Sequence, residues 1–168
     1  MKRIALLSII SLLAVTLHAQ SSIDRLFEKY QGKDGFVTVT INGNLLKMLG
    51  SIEDEDDDDL MRFADKFTAI RIIAQEEDYE GVENFYDAVI AEINRGGYEE
   101  MMTVNSSDAD VKILVKGSGR AFEEFLVIAG GESNAIIQIK GSFTSDDVKK
   151  MSESVKSGDS LHGIGMFN

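Results

Sequence analysis

The chain has no cysteine, no proline and no tryptophan, and only two histidines in 168 residues. Without cysteine there is no disulfide, no thiol nucleophile and no site for the lipid of a lipoprotein. Without proline there is no rigid interdomain hinge, which argues for one compact domain. Zinc and other transition metals want several His or Cys ligands, more than His18 and His162 can supply. A Ser–His hydrolase also lacks its context. His162 sits in a glycine-rich tail, no G-x-S-x-G elbow occurs, and Ser118 falls between Gly117 and Gly119 in an expected hairpin turn.

Positive charge is scarce as well. Lys and Arg number 17 against 29 acids, for a formal net charge of −12, and no basic cluster is longer than Lys149-Lys150. Phosphate backbones repel such a body, so nucleic-acid binding is disfavoured.

The chain begins MKRIALLSIISLLAVTLHAQ. Lys2 and Arg3 make a basic start, Ile4 to Leu17 an apolar run, and His18-Ala19 a short exit, the layout of a secretory signal peptide. Those fourteen apolar-run residues rise about 21 Å as a helix, short of the roughly 30 Å hydrocarbon core of a membrane. Cleavage after Ala19 is therefore expected, giving a periplasmic or secreted protein with no membrane span. Leu17 stands where a small residue is usual, so an uncleaved anchor remains the alternative. Removing residues 1–19 takes two cations and no acid, and moves the formal charge from −12 to −14.

Residues 20–156 read as one α+β domain, and 157–168 as a mobile C-terminal tail. Ser21, three residues before Asp24, has a capping-box spacing, and Ile23, Leu26, Phe27 and Tyr30 follow at helical period. FVTVTI alternates as a half-buried strand, and NGNLLKMLG turns into a short helix ending at Gly50. LMRFADKF resumes helical spacing. TAIRIIA is apolar on both faces, as a strand inside a sheet is. In GVENFYDAVIAEINRGGY, Val82, Phe85, Tyr86, Val89, Ile90 and Ile93 form one helical stripe, with Gly96 as the expected C-terminal cap.

From Tyr98 the period switches to two through four strands: YEEMMTVN, DVKILVKG, AFEEFLVIAGG and NAIIQIKGSF. Their short breaks demand antiparallel neighbours, hence a meander. Thr144 to Asp147 is a second capping box, opening a helix with a Val148/Met151/Val155 stripe. The order β-α-β-α, then four strands and a helix, predicts a two-layer, largely antiparallel sheet with helices packed on one face. Leu114, Phe125, Val127, Ile136 and Met101 are expected on the other face, which becomes a binding patch if nothing covers it.

The remaining motifs carry little chemistry. Seven consecutive acids run from Glu53 to Asp59. An EF-hand loop needs a glycine at its sixth position and a bidentate Glu at its twelfth, and neither is there. The run reads as a solvated loop, with weak divalent-cation binding as the alternative. Glu99-Glu100 and Glu123-Glu124 are strand pairs in which one member points outward. GSGRAF and HGIGMF contain G-x-G without the strand-to-helix context of a dinucleotide site. No catalytic, cofactor or metal residue is assigned.

SIDRLFEKYQGKDGFVTVTI, GYEEMMTVNSSDADVKILVK and FEEFLVIAGGESNAIIQIKGSFTSDDVKKM together resemble an exported bacterial family labelled domain of unknown function 4252. The shared positions are hydrophobic and glycine positions that define a fold. The resemblance implies export and a single domain, and no catalytic residue. Many of its look-alikes are lipoproteins, a pattern from which this cysteine-free chain departs.

The expected function is a non-enzymatic exported module that binds an unidentified envelope protein or senses envelope state. The alternative is a carrier of a small apolar ligand held between sheet and helices. An enzyme with an unrecognised carboxylate site comes third.

Overall fold

The computed structural model describes residues 21–50, 65–76, 85–107, 109–131 and 134–157. The acidic run Glu53–Asp59, residues 60–64 of LMRFADKF, Val82, His162, the expected signal peptide and residues 158–168 of the expected tail lie outside the described residues.

Helix α1 spans Ser22–Tyr30, strand β1 Phe36–Asn42, helix α2 Gly43–Gly50 and strand β2 Phe67–Gln75. Helix α3 covers Phe85–Gly96. Strands β3 (Glu99–Asn105), β4 (Ala109–Ser118), β5 (Ala121–Gly131) and β6 (Ala135–Thr144) follow, and helix α4 spans Ser145–Ser157. The six strands form one open sheet in the order β1-β2-β6-β5-β4-β3, antiparallel throughout. The meander β3 to β6 is present as expected, and β2 lies inside the sheet between β1 and β6. Phe67, expected at the end of a helix, is instead the first residue of β2, and Asp65-Lys66 form a single tight turn before it.

Local chemistry sets the boundaries. Ser21 Oγ accepts from the Asp24 amide at 3.4 Å to open α1, and Asn42 Oδ1 accepts from the Leu45 amide at 3.0 Å to open α2. At α4 the capping box closes both ways. Asp147 Oδ2 accepts from the Thr144 amide at 2.8 Å, and Thr144 Oγ1 accepts from the Asp147 amide at 3.3 Å. Past α3 the left-handed residue is Gly97, with φ +69°, and not Gly96. Gly96 is needed for contact, since a Cβ there would stand 2.5 Å from Ser22 Oγ and from the Tyr98 ring. The β4–β5 hairpin turns on Gly119, whose φ of +67° suits the first loop position of a type II′ turn.

The helices α1 and α3 pack side by side on one face of the sheet. Their stripes, Ile23, Leu26, Phe27 and Tyr30 with Phe85, Val89 and Ile93, bury against Ile73, Leu114, Leu126, Ile128 and Ile136. Tyr30, Phe36 and Phe85 form a ring cluster with centroids 4.5 to 5.3 Å apart. The opposite face is dry too. Ile72, Ile113, Val115, Phe125, Val127, Ile137 and Ile139 bury there together with Leu46 of α2 and Val148 and Met151 of α4.

The expected second-face patch changes as a result. Leu114 and Ile136 lie on the α1/α3 face, while Phe125 and Val127 lie on the other. In β5, FLVI is apolar on both sides, so alternation alone does not sort its faces. All four of these residues are buried, and only Met101 of the expected patch is exposed.

Candidate functional site

Among the described residues the exposed large hydrophobics are Val37 and Val39 of β1 and Leu45 and Met48 of α2 at one edge of the sheet, and Met101 and Val104 of β3 at the other. Strand β1, FVTVTIN, pairs with β2 over seven residues without a register break, from Phe36↔Gln75 to Asn42↔Ala69. Among the described residues no strand pairs with its outer side. The pairing Val39↔Ile72 puts Val37, Val39 and Ile41 on the face of Leu46, whereas Thr40↔Arg71 puts Thr38 and Thr40 on the face of α1. Val37 and Val39, with Leu45 and Met48 of the adjoining α2, are between 37% and 55% exposed. Exposed valines in a row beside exposed Leu and Met differ from the single scattered hydrophobics usual on a surface.

Beside this edge, on the α1 side, lies an open cleft of about 520 Å³. Asp24, Phe27 and Glu28 of α1, Gln31 at its C-cap, Thr38 and Thr40 of β1, Arg71 of β2 and Lys140 of β6 line it. Its floor is ionic. Lys140 Nζ donates to Asp24 Oδ1 at 2.8 Å, and Arg71 Nη2 stands 2.8 Å from the same oxygen. The Arg71 contact is close but off the line of a hydrogen bond, so Nε and Nη2 both stay buried without an acceptor. The guanidinium carbon stacks 3.8 Å from the centre of the Phe27 ring. Partial burial would raise the Asp24 pKa. The hydrogen bond and charge of Lys140, then Arg71, more than offset this and hold it below the ordinary value.

A second polar group continues across the sheet beneath α1. Glu124 Oε2 accepts from the Tyr98 hydroxyl and, at 3.0 Å, from Gln138 Nε2. Burial, and then the hydrogen bond to this carboxylate, raise the Tyr98 pKa, so the phenol is a donor at any ordinary pH.

The acidic pairs read from sequence do not converge. Glu124 is buried and Glu123 exposed, whereas Glu99 and Glu100 are both exposed because β3 is an edge strand. Glu100 Oε2 accepts from Lys112 Nζ at 2.7 Å. Ser118 ends β4 opposite Ala121, next to the turn. Among the described residues no three His, Cys, Asp or Glu side chains come together as metal ligands, and no helix is long and apolar enough to cross a membrane.

Two features escaped the reading by pattern. Arg71 is the one charge inside the apolar run TAIRIIA, a local conflict that marks a buried partner. The absence of any charge in FVTVTIN marks an unguarded edge once its place in the sheet is known.

A family model described as Domain of unknown function (DUF4252) matches residues 30–151, from the end of α1 into α4. The chain belongs to this family. No curated protein and no solved structure gives a significant match. The match covers β1, its exposed valines, Arg71 and Lys140, and the family description assigns no activity to any of them.

Proposed function

We infer that this member of the DUF4252 family is a non-enzymatic, exported interaction module that docks another polypeptide on the outer edge of β1. The observation that carries the reading is the edge itself: seven uncharged residues in unbroken register, with Val37 and Val39 exposed beside Leu45 and Met48. An unpaired strand offers a row of backbone donors and acceptors to an incoming strand. Export rests on the leader MKRIALLSIISLLAVTLHAQ, and intact mass of the exported protein tests cleavage after Ala19.

The cleft under α1 favours a second reading, a binder of a small ligand. Arg71 and Lys140 line it beside Asp24. With Asp24, Arg71 and Lys140 on its floor, the cleft suits a polar ligand bearing an acceptor oxygen better than the small apolar ligand expected from sequence.

Capture of envelope proteins by the full-length exported chain separates the two readings. Val39→Lys should abolish specific capture without lowering the melting temperature, and Arg71→Gln should leave it intact. Capture that survives Val39→Lys removes the edge reading.

A further inference from the structure

The two edges of the sheet are built differently. β3 carries Glu99 and Glu100, both exposed, and its register with β4 shifts between Glu100 and Met102. Charge and bulges are the usual devices that stop an edge from pairing with a further strand. β1 has neither, and no glycine or proline within its seven residues. The pattern of β1 also indicates what fits it.

Val39 is the midpoint of Phe36–Asn42. Laid antiparallel against a second β1 in full overlap about a two-fold axis, Val39 meets Val39 of the second copy, Val37 meets Ile41, and Thr38 meets Thr40. One face of the seam is then wholly β-branched and apolar, the other carries hydroxyls, and no like charges oppose each other. Arg71 and Lys140 are ion-paired with Asp24, and Lys33 lies over the Tyr30 and Phe36 rings, so these cations do not select an acidic strand from another protein.

We propose that two copies of this chain pair β1 to β1, antiparallel and in full overlap, to make one continuous sheet. The inference rests on the reading of β1 as the docking edge and names a second copy as its occupant. A pair of seven-residue strands falls short of the roughly 1,200 Å² that a stable interface buries. Leu45 and Met48 of each α2, which packs on β1 and β2, therefore add to the seam, and the dimer dissociates on dilution. Each copy carries a net charge of −12, so added salt strengthens the association by screening the repulsion between the two bodies.

The cysteine-free chain makes the test direct. Val39→Cys introduces a thiol with no other in the protein, placed on the two-fold axis against its own copy. Oxidation or a short bis-maleimide should link most of this variant into dimers, and Val104→Cys on the β3 edge should link far less. Sedimentation equilibrium of the unaltered full chain should show a monomer–dimer equilibrium that shifts toward dimer with salt. Val39→Lys should be monomeric with an unchanged thermal melt. A monomer at every concentration, a dimer that survives Val39→Lys, or equal cross-linking at positions 39 and 104 overturns the proposal. A monomeric chain whose capture of a different envelope protein still depends on Val39 overturns self-pairing and leaves the docking edge standing.

Discussion

Replacing Asp147 with Asn tests how charge holds α4 to the sheet. Asp147 Oδ2 accepts from the Thr144 amide and hydroxyl at 2.8 and 2.7 Å, and Oδ1 accepts from Lys66 Nζ at 2.6 Å. Burial works against ionisation of this carboxyl. The Lys66 bond and charge and the two Thr144 bonds outweigh it, and hold its pKa at about 2. A carboxyl lowered to about 2 from an unfolded value near 3.8 stabilises the fold by up to about 2 kcal/mol by linkage. The Lys66 side chain is 42% exposed, so solvent screening trims this to about 1 to 2 kcal/mol. Because the folded pKa is the lower one, the contribution is complete above about pH 4. It disappears as pH falls toward about 2. Denaturant melts of wild type and Asp147→Asn should differ by that amount near neutral pH and converge as pH drops through the same window. A difference of the same size at the acid end would show that shape, and not charge, carries the effect.

Three further substitutions probe the packing. Phe85 is 1% exposed inside the Tyr30–Phe36 ring cluster, so Phe85→Ala should cost about 3 to 5 kcal/mol, against under about 0.5 for Asn94→Ala on the exposed side of α3. Equal denaturation midpoints would reverse the assignment of that helix face. Gly117→Ala would set a Cβ 2.2 Å from the backbone oxygen of Ala121, at a break in the β4–β5 register, and should cost at least about 2 kcal/mol in the same melts. Tyr30→Phe removes a fully buried hydroxyl that has no hydrogen-bond partner, so it should raise stability by about 1 kcal/mol; a loss of that size would mean that the hydroxyl is satisfied in solution.

Most of the architecture was legible in the sequence because its elements are strongly periodic. The α1 and α3 stripes, the four-strand meander and the Thr144–Asp147 box all follow from spacing and capping chemistry. The α+β class followed from their order. What escaped was information held in pairing. FLVI in β5 is apolar on both sides and the β3, β4 and β5 ladders contain register shifts, so alternation could not say which of Leu114, Phe125, Val127 and Ile136 shared a face. Nor could local pattern place Asp24, Arg71 and Lys140 at one carboxylate, since their separation along the chain reaches 116 residues. The exposed edge is likewise a property of strand order, which spacing does not encode. A half-buried alternating strand reads alike in the middle of a sheet and at its rim.

Amide hydrogen exchange at β1 tests the docking edge most directly. In the dilute isolated chain, the outward amides of Phe36–Asn42 should exchange quickly, because no strand among the described residues covers them. Docking, by a second copy at high concentration or by an envelope partner, should protect these amides and leave β3 unchanged. Protection of β1 that is already complete in the dilute chain, or that appears on β3 instead, would contradict the account.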